Sequence, residues 1–229
     1  MLLLNGCDVN PASGGASPAG IEDQAKPPQN GREELISRLN SKYGENFTYI
    51  GNAGGGTMMN DHCAIYLRSE RFPDDRIYAV HGVFDGKTED RDNYMAYCLR
   101  DEAALYLTDL AKEVYGECRA FYTPAENVAA PPEINRDSTV QELLKSTKNY
   151  FSVILPEGQD IAEKDKQLDR IYEKMKGEGI NCFFYIAYLN SSEIYNSAGS
   201  AEGIGREYII TDCSLGMDEN FNITERQWG

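Results

Sequence analysis

The chain has 229 residues, with 22 Lys and Arg against 37 Asp and Glu, a formal net charge of −15. Apolar residues make up 41% and charged residues 26%, a globular composition with side chains enough for one core or two small ones. The sequence holds no run of about 18 apolar residues that could span a bilayer. Its negative charge argues against a nucleic-acid partner, whose phosphates call for a basic face, and against adsorption to an anionic membrane through basic residues. With two His in all, a His-rich metal site is excluded.

The chain begins MLLLNGC. Residues 1–6 have neither the basic start nor the apolar run of roughly 7–15 residues that a secretory signal needs. Leu4 and Gly6 nevertheless stand three and one residues before Cys7, with Asn5 between, and this resembles the end of a bacterial lipoprotein signal. On that resemblance the start lies upstream of Met1, the chain is cut before Cys7, and the Cys7 thiol and amine carry lipid. Residues 8–31, DVNPASGGASPAGIEDQAKPPQNG, contain almost no large apolar side chain besides Val9 and Ile21. Such a segment buries too little surface to offset its ordering entropy, so 1–32 is expected to be a lipid-attachment end and flexible tether. The alternative is an ordinary disordered arm on a cytoplasmic protein.

Folded structure is expected from residue 33. Leu35, Ile36, Leu39 and Tyr43 fall at helical spacing, and Gly44 suits the left-handed position after the last turn. Strands follow near Phe47 and Tyr49, over 64–68 and over 76–84, the last closed by the turn pair Asp85 and Gly86. Asp92 is placed to cap one long helix over 93–115, whose stripe includes Met95, Leu99, Ala103, Leu107 and Leu110. A strand over 118–123 precedes residues 124–135, PAENVAAPPEIN, a linker or long surface loop with three prolines. Ser138 and Gln141 have capping-box spacing for a helix over 139–146. A strand over 150–155 and a helix over 161–176, ended by Gly177 and Gly179, come next. The run CFFYIAYL at 182–189 is the most continuously apolar in the chain and reads as a central strand. Residues 191–205 read as a polar hairpin loop, and 206–213 as the final strand. Helix, glycine stop and aromatic strand recur at 39–50 and 175–186, a hint of duplication. This order predicts an α+β domain over 33–229, with largely antiparallel sheet and helices packed on one face. Its parts, 33–124 and 137–229, form one core or two.

Ser41-Lys42-Tyr43-Gly44 at a helix end, then Phe47, a Gly-rich gap, an alternating strand and Asp92-Asn93-Tyr94 opening a helix make a recognisable succession. It is similar to a pattern in uncharacterised lipoproteins of Gram-positive bacteria, where a Lys-Lys-Tyr-Gly helix end precedes a hairpin and an acidic Asp-Xaa-Tyr follows the last hairpin strand. The likeness covers about residues 33–115. It implies a small α+β, extracytoplasmic, membrane-tethered domain of unknown activity, and it brings no catalytic residues to transfer.

Several clusters bear on chemistry. Gly51-Asn52-Ala53-Gly54-Gly55-Gly56-Thr57 lacks the following Lys and the helix of a phosphate loop, and reads as a hairpin loop. The acidic run 85–92 puts Lys87 where a calcium loop needs an oxygen and misplaces the glycine, so it reads as a solvated turn. Cys63 follows Asn60-Asp61-His62, and His81 and Asp85 lie on the third strand and its turn. If the second and third strands pair, Cys63, His81 and Asp85 could supply nucleophile, base and orienter. Packing is the commoner fate of a strand Cys beside a strand His. The cysteines at 7, 63, 98, 118, 182 and 213 contain no Cys-Xaa-Xaa-Cys pair, and the last four read as small buried hydrophobes. Fifteen Tyr are many, and Tyr66, Tyr78, Tyr185 and Tyr208 alternate with aliphatics in strands, so some could line one open sheet face for a protein, peptide or glycan ligand.

These observations favour a binding module without catalysis, tethered on the extracytoplasmic side of the cell membrane by lipid on Cys7, with neither cofactor nor metal. The alternatives are a Cys/His hydrolase using Cys63 and His81, and a cytoplasmic acidic protein-interaction domain.

Overall fold

The structure, a computed structural model, describes residues 31–53 and 63–229. The expected tether, Cys7, His62 and most of the Gly-rich stretch lie outside the described residues. The first half opens with α1 (Gly31–Tyr43), then β1 (Phe47–Asn52), β2 (Cys63–Ser69), β3 (Ile77–Phe84) and β4 (Lys87–Asp92). These strands form an antiparallel meander in the order β1-β2-β3-β4. Leu35, Leu39 and Tyr43 bury the inner stripe of α1 against it. Asp85 and Gly86 both take positive φ, 50° and 76°, as a two-residue hairpin turn with the twist of its strands requires.

Strand β4, KTEDRD, was not expected, because no apolar alternation marks it. It is an edge strand whose inward side chains are charged. Asp92, 2% exposed, accepts from the Tyr43 hydroxyl at 2.8 Å and from Lys42 at 3.0 Å, and Asp90 meets Arg38. Charges along an edge also discourage further pairing.

The expected single helix over 93–115 is two, α2 (Tyr94–Cys98) and α3 (Arg100–Tyr115), broken at Leu99. The break accompanies two polar ties, Tyr97 hydroxyl to the Arg76 carbonyl at 2.8 Å and Arg100 to Asp75 at 2.6 Å. Asp92 accepts from the Tyr94 N–H at 3.0 Å, as a cap would. Then come β5 (Arg119–Thr123), α4 (Val140–Ser146), β6 (Asn149–Leu155), α5 (Lys164–Glu178), β7 (Cys182–Leu189), α6 (Ser192–Ser197), β8 (Ile209–Met217) and β9 (Ile223–Trp228). The capping box of α4 is Thr139 with Glu142, one residue beyond the expected Ser138 and Gln141. Helix α5 runs through Gly177 and stops at Gly179, whose φ of 72° turns the chain so that the Ile180 N–H reaches the Met175 carbonyl.

The second sheet has the order β5-β6-β7-β8-β9. Strand β7 is central, as its apolar run predicts. β6 and β7 are parallel, joined through α5, and the other pairs are antiparallel. β5 precedes residues 124–135 and β6 follows them, so that segment connects two strands of one sheet. Helices α3, α4 and α5 cover one face with Ala103, Leu107, Leu143, Leu168 and Ile171. One continuous cluster of buried side chains draws on both sheets. The fold is α+β with two mostly antiparallel sheets. Helix α6 departs from the expectation of helices on one face: it sits within the predicted hairpin loop and packs on the opposite side of the second sheet, over Ile154, Ala187 and Leu189.

Candidate functional site

Alternation gives the second sheet two faces. Phe151, Val153, Phe184 and Ile186 point to the helices and are buried. Phe121, Tyr150, Ser152, Phe183 and Tyr185 point the other way. At one end of that other face α6 is clamped down by Arg119, whose guanidinium donates to the carbonyls of Tyr195 at 2.5 Å, Asn196 at 3.2 Å and Ala198 at 2.8 Å. These acceptors lie at the helix C-terminus, where carbonyls lack partners and a cation is favoured. The chain after α6, with Ala201, Glu202 and Ile204, forms one wall.

The facing wall is the segment 124–128, fixed to the first sheet. Asn93, 1% exposed, donates from Nδ2 to the Ala125 carbonyl at 2.9 Å and accepts from the Tyr78 N–H at 2.7 Å. Asp92 and Ala130 form an isolated bridge, and the Tyr66 hydroxyl donates to Asn127 Oδ1 at 2.5 Å.

Between the walls lies a cleft of about 620 Å³ floored by Tyr150, Ser152, Phe183 and Tyr185. The parallel register sets Tyr150 beside Phe183, with ring centroids 5.9 Å apart and 32° between planes, and sets Ser152 beside Tyr185. Together the rings make an aromatic strip on which Tyr150 is 39% exposed. Tyr185 is anchored by its hydroxyl to Asp212 at 2.9 Å, and Arg206 holds the other oxygen of Asp212. Burial first, and then Asp212, push the Tyr185 phenol well above its ordinary range, so it stays a neutral donor. Among the described residues, the only charged ones lining the cleft are Glu126 and Glu202, one from each wall.

Of the four tyrosines singled out in the sequence, Tyr185 alone lines this cleft. Tyr66 and Tyr78 are direct partners on β2 and β3 of the other sheet, their rings 6.0 Å apart, with Arg76 stacked on Tyr66 at 4.0 Å. They brace the wall rather than the floor. Tyr208 lies in a short 3-10 turn before β8, not in the strand, and borders a smaller hollow with Ile194 and Ala198. Tyr150, Phe183, Glu126 and Glu202 were not anticipated. Only the pairing of β6 with β7 gathers them, though the sequence does mark Tyr150 and Phe183 as strand aromatics.

Cys63 and His81 are direct partners across β2 and β3, as their spacing suggested. Asp85 does not join them, since it occupies the hairpin turn four residues beyond His81. Asp90, paired with His81 across β3 and β4, holds the imidazole instead: Nδ1 lies 2.6 Å from its carboxylate, which also takes Arg38 Nε at 2.5 Å. Burial pushes the Cys63 thiol above its ordinary value, with the cations Arg32 and Arg38 opposing this only in part. Cys63 as a residue is 3% exposed, a poor nucleophile's setting. All five cysteines among the described residues are free. Among those residues no three His, Cys, Asp or Glu side chains gather as a metal site, and no helix is long and apolar enough to cross a membrane.

No protein family and no curated protein matches this sequence. Among solved structures, the chain is similar to a DUF5037 family protein from Ruminococcus gnavus ATCC 29149, with 11% identity and a TM-score of 0.37 over 84% of this chain and 94% of that one.

Proposed function

We propose that this chain is a ligand-binding module, held on the outer side of a cell membrane by lipid on Cys7, whose binding surface is the aromatic cleft. The observation that carries the binding reading is the uncovered strip of Tyr150, Phe183 and Tyr185 between two fixed walls. Sheets bury apolar faces where they can, and a concave aromatic surface left open marks a place for a partner. A cleft of this volume takes a small molecule or a short stretch of a peptide or glycan. Its rim carboxylates disfavour anionic ligands. The anchor rests on Leu4-Asn5-Gly6-Cys7 and on the Gly, Ser and Pro content of residues 8–31.

The neutral fluorophore N-phenyl-1-naphthylamine, which brightens in apolar pockets, tests the cleft. Its emission should rise with the wild-type protein and fall to background with Ser152→Trp, which fills the floor between Phe121 and Tyr185. Equal emission from the plugged variant would refute the cleft. For the anchor, the gene with its native upstream region is expressed in a Gram-positive host fed an alkyne fatty acid. Label on the wild type but not on Cys7→Ala supports it, and an unlabelled protein in the cell interior overturns it.

One observation favours a second reading, a thiol hydrolase: Cys63, His81 and Asp90 stand in nucleophile, base and orienter order across three adjacent strands. Selective alkylation of Cys63 at neutral pH, abolished by His81→Ala, would support it. Reaction no faster than at the buried Cys182 would exclude it.

A further inference from the structure

We infer that the cleft takes a small organic cation, an ammonium group carried on an apolar body. This rests on the cleft being the binding site, and it deepens that reading by naming the ligand's chemistry.

Charge is the first ground. Among the described residues that line the cleft, the only charges are the carboxylates of Glu126 and Glu202. Of the arginines nearby, Arg206 is paired with Asp212 at 2.5 Å and Arg100 with Asp75 at 2.6 Å, while Arg76 stacks on the face of Tyr66 and shares a neighbouring hollow with Glu126. The whole chain adds a field of the same sign, with a net charge of −15. Such a site repels phosphate and carboxylate ligands and concentrates cations.

Hydrogen-bonding capacity is the second. Tyr185 spends its hydroxyl proton on Asp212, and Asn127 spends its amide oxygen on Tyr66. What remains along the lining is the hydroxyls of Thr123, Ser152 and Tyr150, the Asn127 amide N–H groups and the four oxygens of two carboxylates, which carry the charge. The carboxylates favour a positive charge of either kind: a primary ammonium donates its N–H groups to them, and a quaternary nitrogen, with no N–H, is held by charge alone.

The floor is the third. Tyr150 and Phe183 lie side by side with their planes 32° apart, and Tyr185 continues the strip on the same strand as Phe183. The negative face of an aromatic ring attracts a cation within about 6 Å, most strongly where water is excluded. Alkyl groups on a quaternary nitrogen, or a methylene chain behind a primary one, would cover the apolar part of the floor. An aromatic floor and opposed carboxylates thus act on the two halves of one molecule.

The test uses amide chemical-shift titrations of the ¹⁵N-labelled protein at low salt. The probes are acetylcholine, cadaverine and 3,3-dimethylbutyl acetate, the uncharged carbon isostere of acetylcholine. At least one cation should bind tenfold or more tightly than the isostere, with shifts at 123–128, 150–152, 183–185 and 201–204. Glu126→Gln and Glu202→Gln, both in surface loops, should each weaken it about fivefold or more, and should weaken N-phenyl-1-naphthylamine binding far less. If the isostere binds as tightly as both cations, or the two variants leave cation affinity untouched, the inference is overturned. Dye binding that persists would then leave the cleft itself standing, whereas loss of cleft binding by all probes removes both.

Discussion

Replacing Asn93 by Ala tests how the cleft wall is held. This side chain is 1% exposed and bonds in two directions, from the Tyr78 N–H and to the Ala125 carbonyl. Its removal strands a buried donor on β3 and an acceptor on the segment that walls the cleft. A buried polar group left without a partner costs about 1–3 kcal/mol. The Tyr78 N–H lies within the sheet and should bear the full cost, while Ala125, at the cleft edge, is within reach of water and should bear less. The sum is about 2–4 kcal/mol, which at roughly 2–4 °C per kcal/mol for a chain of this size lowers Tm by about 5–15 °C. Denaturant unfolding followed by circular dichroism reads the stability, and hydrogen exchange reads the wall. Exchange at 124–128 should quicken more than exchange in β7, and dye affinity should fall. A loss under about 0.5 kcal/mol, or unchanged exchange in the wall, would refute the assignment of Asn93 as a tie between the first sheet and the cleft wall.

The Asp90 carboxyl is pushed up by burial but held below its ordinary value of 3.8 by Arg38 and His81 together. The unfolded chain therefore takes up this proton first as pH falls. The stability that Asp90 contributes is complete above its unfolded value and disappears as pH drops through the lower folded one. Asp90→Asn should flatten acid unfolding below pH 4, and an unaltered acid profile would contradict the pairing. Gly86→Ala should cost about 1–2 kcal/mol, because φ of 76° burdens any Cβ, whereas Asp85→Asn should change stability by less than about 0.5 kcal/mol; reversed effects in denaturant titrations would deny the hairpin geometry. Burial pushes the Cys182 thiol up to about 12 and Cys118 up to about 11. Iodoacetamide at pH 8 should modify both far more slowly in the native protein than in urea, and mass spectrometry showing equal rates would contradict their burial.

Much of the architecture was legible because apolar periodicity reports burial directly. The stripe of α1, the continuous run of β7 and the Gly44 stop of α1 follow from local side chains and stand where expected, whereas of the two stops expected for α5 Gly179 ends it and Gly177 lies within it. What escaped was held by partners distant in sequence. β4 and β9 carry almost no apolar alternation and are edge strands secured by ions: Asp90 and Asp92 to α1, Arg226 to Asp165 and Asp169 of α5. Helix α6 is six residues long, too short to show a periodic face, and its docking depends on Arg119, 76 residues before the Tyr195 carbonyl it binds. The cleft was half legible. An open sheet face bearing tyrosine was expected, and Tyr185 lies on one. Which strands lie side by side is not legible in the sequence: Tyr66 and Tyr78 belong to the other sheet from Tyr185, and strand register supplies Asp90 rather than Asp85 to His81.

The most direct test of the central claim is an amide shift map of the ¹⁵N-labelled full chain titrated with N-phenyl-1-naphthylamine. Perturbations confined to 123–128, 150–152, 183–185 and 201–209, and abolished by Ser152→Trp, are the predicted result. Perturbations centred on Cys63 and His81, or no saturable change anywhere, would contradict it.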